Sequence, residues 1–156
     1  MSSLRRALVC GLACLAVVGG AAAAAQAPAK KYPLYSADDF VTAMKPMGRA
    51  FGAVNAAVAA NDFETAKAQL VRSREQLAIT ITFWRDRQKD DAVRMLRATV
   101  SKMDELDGAL SAASIDAASV GALVKQVGAG CQGCHAAYRE QDPATKAFKF
   151  KLDTAR

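Results

Sequence analysis

The sequence predicts an all-α protein, an antiparallel up-down-up-down four-helix bundle. Three observations predict it. Apolar residues recur at steps of three and four through four successive segments. Helix-favouring Ala, Gln, Lys, Arg, Leu and Met dominate, and only three prolines follow Lys31. The segments are joined by short polar links, which keep consecutive helices adjacent and antiparallel. A chain of 156 residues allows one domain.

The first 25 residues read as a segment to be removed. Arg5 and Arg6 precede an apolar run from Ala7 to about Val18, and a string of alanines follows. A basic start, a short apolar stretch and a small-residue end describe a secretory signal peptide, with cleavage after Ala25 or Ala27. The apolar run is short against the roughly 20 residues of a membrane span, so no stable membrane anchor is expected after cleavage; a retained anchor is the alternative. Cleavage would remove Cys10 and Cys14 and leave Cys131 and Cys134. Nineteen basic residues would remain against 15 acidic ones, scattered without runs, which gives no support for nucleic-acid binding.

Residues 26–35 are a polar, proline-containing lead-in to a domain over 36–141. Ser36 reads as an N-cap with Asp39 at the capping-box position. Phe40, Met44, Met47, Phe51, Val54 and Val58 then mark one face of a first helix running to about Ala60, with Pro46 inside it, where a kink or an opened turn near Thr42 is expected. Asn61 and Asp62 end it and cap the next. The second helix is read as continuous from Phe63 through Ala66, Leu70, Leu77 and Ile81 to Trp84, although Arg74 interrupts the stripe and "AITITF" is locally strand-like. After the compact link "RDRQKDD", a third helix carries Val93, Leu96, Val100, Met103, Leu106 and Leu110. Ser114, Asp116 or Ser119 caps a fourth, with Val120, Leu123, Val127, Cys134 and Tyr138, which stops before Pro143. Residues 142–156 form a C-terminal tail in which Phe148, Phe150 and Leu152 alternate with lysines, a pattern that fits an extended segment lying on the bundle or a disordered one.

The chemistry concentrates in "CQGCH", residues 131–135, which holds the last two cysteines and the only histidine. A redox CxxC of the thioredoxin kind needs a βαβ setting that the chain lacks. Zinc needs four ligands, or three and an open position, and no other Cys or His remains after cleavage. An ordinary disulfide fits neighbouring turns of one helix poorly. C-x-x-C-H is the attachment signature of c-type haem: two thiols reach the two vinyl groups of one macrocycle and the next residue offers its imidazole to the iron. An exported chain with one histidine and a helical frame suits that reading, with one covalent haem c near the end of the fourth helix. His135 is then the proximal iron ligand. A second histidine is absent, so the remaining soft donors are Met44, Met47, Met95 and Met103; any of them also reads as core filling.

With the motif late in the last helix, the chain resembles the class II c-type cytochromes, the cytochrome c prime family. The resemblance rests on "CQGCHAAYR" and on "AMKPMGRAFG" at residues 43–52, and covers about 36–140. It implies a four-helix bundle with haem bound through Cys131 and Cys134. Met44 falls at the distal position of the first-helix pattern; low-spin members carry a ligating Met there, high-spin members a Leu, Phe or Tyr. Met44 is thus the implied sixth ligand, and Met47 the following core position. Arg139 matches an arginine beside the proximal haem face; a solvated helix-end cation reads the same way. Phe40 stands where the family often has an arginine near a haem propionate, so Lys45 or Arg49 would have to serve. Pro46 and a short second link also depart from the pattern.

The expected function is a monohaem electron carrier of the periplasm with His/Met iron ligation, not an enzyme, since no catalytic base, nucleophile or phosphate loop stands out. Its partners would be redox proteins and the haem maturation machinery. Homodimerisation through the first two helices is implied by the resemblance, and the Ala-rich "AVNAAVAAN" permits close approach without requiring it. The alternatives are a five-coordinate cytochrome c prime that binds nitric oxide or carbon monoxide, with Met44 held off the iron by Pro46, and a non-haem helical binding module.

Overall fold

The computed structural model describes residues 36–151. The signal-peptide and lead-in readings at 1–35 lie outside the described residues, as does the tail from 152 onward. The described chain is mostly helical: α1 Ala37–Ala59, α2 Phe63–Ile79, α3 Ile81–Asp86, α4 Asp90–Leu110 and α5 Ala117–Tyr138, followed by the short strands β1 Arg139–Gln141 and β2 Phe148–Phe150. None of the described helices is long and apolar enough to cross a membrane.

Three of the four long helices start where a side chain satisfies the first free amides. Ser36 Oγ accepts from Asp39 N at 3.1 Å, and Asp39 Oδ2 accepts from Ser36 N at 3.1 Å, a reciprocal box. Asp62 accepts from Thr65 N and Asp116 from Ala118 N. α4 has no such cap; Asp90 and Asp91 in its first turn complement the positive end of the helix dipole instead. Asn61 and Gln88 take positive φ, 56° and 55°, to turn the two tight links.

α1 runs unbroken through Pro46, whose ring replaces an amide that would have bonded the Thr42 carbonyl; Thr42 is exposed, so water can take that carbonyl. The helix expected from Phe63 to Trp84 is instead two, α2 and α3, with a break at Thr80. The run Ile79–Thr80–Ile81–Thr82 causes it. Thr80 Oγ1 donates to the Leu77 carbonyl at 2.6 Å, and Thr82 Oγ1 to the Ile79 carbonyl at 3.2 Å. Such local hydroxyl bonds compete with the helical ladder.

α1 packs on α2 and α5, α4 on α5, α2 and α3. The core stripes are Phe40, Met47, Val54 and Ala57 from α1, Ala66, Leu70 and Leu77 from α2, Leu96, Met103, Leu106 and Leu110 from α4, and Val120, Val124 and Val127 from α5. Arg74, which interrupts the α2 stripe, is half-buried and forms two bonds to Asp104 of α4. Met103 is fully buried as core filling.

The fold continues past 141. β2 pairs antiparallel with β1, Arg139 facing Phe150 and Gln141 facing Phe148. The turn is held by Asp142, which accepts from Ala144 N and Thr145 N. Phe150 is buried among Phe40, Phe83 and Trp84, with ring centroids 5.0, 5.3 and 6.1 Å away.

Candidate functional site

The inner stripe of α5 runs Val120, Val124, Val127, Cys131, Cys134, Tyr138, spaced three or four apart. The valines and the tyrosine are buried, whereas the two cysteines at equivalent positions are only half-buried. The reason is a cavity of about 520 Å³ that opens against this part of the helix. It lies within the roughly 300–1,000 Å³ of small-molecule and cofactor sites.

Five residues expected at the site line this one cavity: Cys131, Cys134, His135 and Arg139 from the end of α5 and its continuation, and Met44 from α1. Met47 lines it too and is 4% exposed. Met95 and Met103 do not line it. Of the two cations named for the carboxylate edge of a haem, Lys45 lines the cavity, while Arg49 lines a separate polar groove with Pro46, Arg72 and Glu75. The remaining wall is largely carbon, from Phe40, Leu77, Trp84 and Leu96.

Two contacts hold α5 in register. Gly130, next to Cys131, lies so close to α4 that a β-carbon there would collide with Thr99 Oγ1 and stand 3.3 Å from Thr99 Cβ. Thr99 cannot swing aside freely, because Oγ1 donates to the Met95 carbonyl at 2.9 Å. At the far end, Tyr138 donates from its hydroxyl to Asp91 Oδ2, and its ring lies 4.6 Å from that of Trp84.

Both cysteines are free thiols. Burial pushes Cys134 up to about 11, helped by the nearby Cys131 and Asp91 charges, and burial raises Cys131 as well. Burial lowers His135 below its ordinary value, and the Arg139 charge adds to this. The imidazole is therefore neutral at pH 7, the form in which it donates a lone pair to a metal. Among the described residues no group of three or more His, Cys, Asp or Glu side chains could hold a bare metal ion.

No family model, curated protein or solved structure matches the chain.

The donor chemistry fits a haem. Two thiols and an imidazole lie in five consecutive residues of one helix, a thioether comes from another, and an apolar cavity joins them. Sequence reasoning missed three parts of this site. Phe148 and Lys149 line the cavity although they lie in the tail. Thr99 and Gly130 set the α4–α5 approach, and Trp84 forms wall as well as core. The alternation of Phe148 and Phe150 carried the first signal; a glycine next to a motif residue carried a faint second.

Proposed function

We propose that the protein is a monohaem c-type cytochrome of the class II kind, an electron carrier of the periplasm and not an enzyme. Its helices would follow the up-down-up-down order of that family. The supporting observation is the cavity shared by Met44, Cys131, Cys134 and His135. Cys131 and Cys134 would hold the haem covalently, His135 would take the proximal side of the iron and Met44 the distal side. Haem so ligated supplies a one-electron ferrous–ferric couple, and a thioether ligand favours the ferrous state.

The chain's own residues do the rest. His135 is held neutral by burial, so no proton must leave before it can ligate. The raised thiols stay protonated and unreactive at pH 7 until an attachment system engages them. The aromatic and aliphatic wall excludes water. Lys45 and Arg139 line the cavity as cations available to carboxylates. Redox proteins and the haem maturation machinery would be the partners.

The test is an absorption spectrum of the exported protein, oxidised and reduced, with and without carbon monoxide. Sharp reduced α and β bands that ignore the gas support His/Met ligation and electron transfer. Broad bands that shift with the gas would point to an open, gas-binding iron. Absence of covalent haem from protein made alongside the maturation machinery would overturn the proposal.

A further inference from the structure

The helices leave one side of the cavity to the C-terminal hairpin. Phe148, Lys149 and Phe150 of β2 all line the cavity. Residues two apart in a strand share a face. Phe148 and Phe150 therefore point the same way, but their environments differ. Phe150 is 9% exposed and seated among Phe40, Phe83 and Trp84. Phe148 is 54% exposed and still lines the cavity. A side chain that does both stands where the cavity meets solvent. The Arg139 guanidinium lies 4.1 Å from the Phe148 ring centroid, an arrangement that holds the ring by cation–π attraction.

The rest of the hairpin is held by polar contacts, among them Lys149 to Glu140 at 3.4 Å and Gln141 Nε2 donating to the Lys146 carbonyl at 2.9 Å. The hairpin has three cross-strand pairs, and a two-stranded ribbon is marginal by itself. Lys151 adds a backbone bond to the Tyr138 carbonyl at 3.1 Å and a side-chain bond to the Ala136 carbonyl at 2.5 Å. The largest apolar attachment is the Phe150 ring.

We propose that β2 is the outer wall of the site, with Phe150 as its anchor and Phe148 as the residue that determines which dissolved ligands reach the cavity. The inference rests on the proposed function for what is shielded: an iron centre open to nitrogenous bases once its thioether ligand is gone. A phenyl ring backed by a guanidinium at the mouth slows a polar, ring-sized base. Removal of that ring opens the path without touching the residues that hold the cofactor.

The probe is imidazole, mixed with the full exported chain in a Met44→Ala background, and its association is followed by absorbance. Phe148→Ala is expected to speed association about tenfold, and Phe148→Leu to restore most of the barrier. Phe150→Ala is expected to speed it as well and to accelerate amide exchange over residues 139–150, where Phe148→Ala leaves exchange unchanged. Val71→Ala, an exposed apolar residue of α2 away from the cavity, serves as the control and changes neither. Equal imidazole rates in the parent and in Phe148→Ala overturn the proposal. If Phe150→Ala loses its helical circular dichroism, Phe148→Ala decides alone. If the chain carries no covalent haem, the proposed function falls, and the wall is tested separately by acrylamide quenching of Trp84. Trp84 is the sole tryptophan, 1% exposed and part of the cavity lining. Stronger quenching in Phe148→Ala then supports the wall, and unchanged quenching overturns it.

Discussion

The Tyr138 hydroxyl donates to Asp91 Oδ2 across 2.5 Å and so ties the last turn of α5 to the first turn of α4. His135 lies one turn before Tyr138, which makes this bond a clamp on the helix end that carries the imidazole. The bond holds the Asp91 carboxyl below its ordinary range. Burial, together with Asp91, pushes the Tyr138 phenol well above its own.

Tyr138→Phe is expected to lower stability by about 1 kcal/mol. Because the folded-state value of Asp91 is depressed, its contribution is present above the ordinary carboxylate pKa of about 3.9 and is lost as pH falls through the folded value. Tyr138 works in the other direction: its contribution is present below about pH 10 and is lost as pH rises. Urea melts from pH 3 to 7 should show a shallower acid limb in Tyr138→Phe than in the parent.

Met44→Ala should convert low-spin haem to high-spin and make the reduced spectrum respond to carbon monoxide. Met47→Leu, a volume-conserving change at a buried wall position, should keep the low-spin spectrum at a cost under about 1.5 kcal/mol. A low-spin Met44→Ala protein would remove Met44 from the iron.

Gly130→Ala should destabilise the fold by about 1–3 kcal/mol, because the new methyl overlaps Thr99. Gly121→Ala in the same helix meets nothing within 4 Å and should stabilise by roughly 0.5–1 kcal/mol. Denaturant midpoints of the two variants should move in opposite directions. Adding Thr99→Ala to Gly130→Ala should recover part of the loss, which a double-mutant cycle measures.

In the full chain with free thiols, alkylation of Cys134 by iodoacetamide should rise through pH about 11. In urea the same thiol should titrate near the ordinary 8.5 or so. A folded chain whose Cys134 reacts with an ordinary profile would show that the thiol is not buried against the cavity wall.

Much of the helical frame was legible because caps and stripes are local. Ser36 and Asp62 announce their helices by chemistry confined to four residues, and of the three candidates Ser114, Asp116 and Ser119 it is Asp116 that caps the last helix. The cavity residues of α5 were legible for the same reason, since five consecutive positions hold them. The break at Thr80 was hidden, because a period of three or four persists across it and only the β-branched run hints at competition. Phe150 was harder still. Its burial depends on Phe40 and Phe83, which nothing in its own neighbourhood reveals. Thr99 and Gly130 meet across two helices, and a glycine in sequence does not say whose side chain fills its space.

Phe40 and Phe150 come from the two ends of the described chain, and their rings meet at 5.0 Å. That contact has consequences for the order of folding. α1 folds onto α2 across a link of three residues, Ala60 to Asp62, while the aromatic cluster must close a loop spanning nearly every helix. Longer loops lose more entropy on closure and form more slowly. The bundle should therefore assemble with its aromatic end still unsealed, so that the two thiols stay within reach of another reactant for a time set by chain topology.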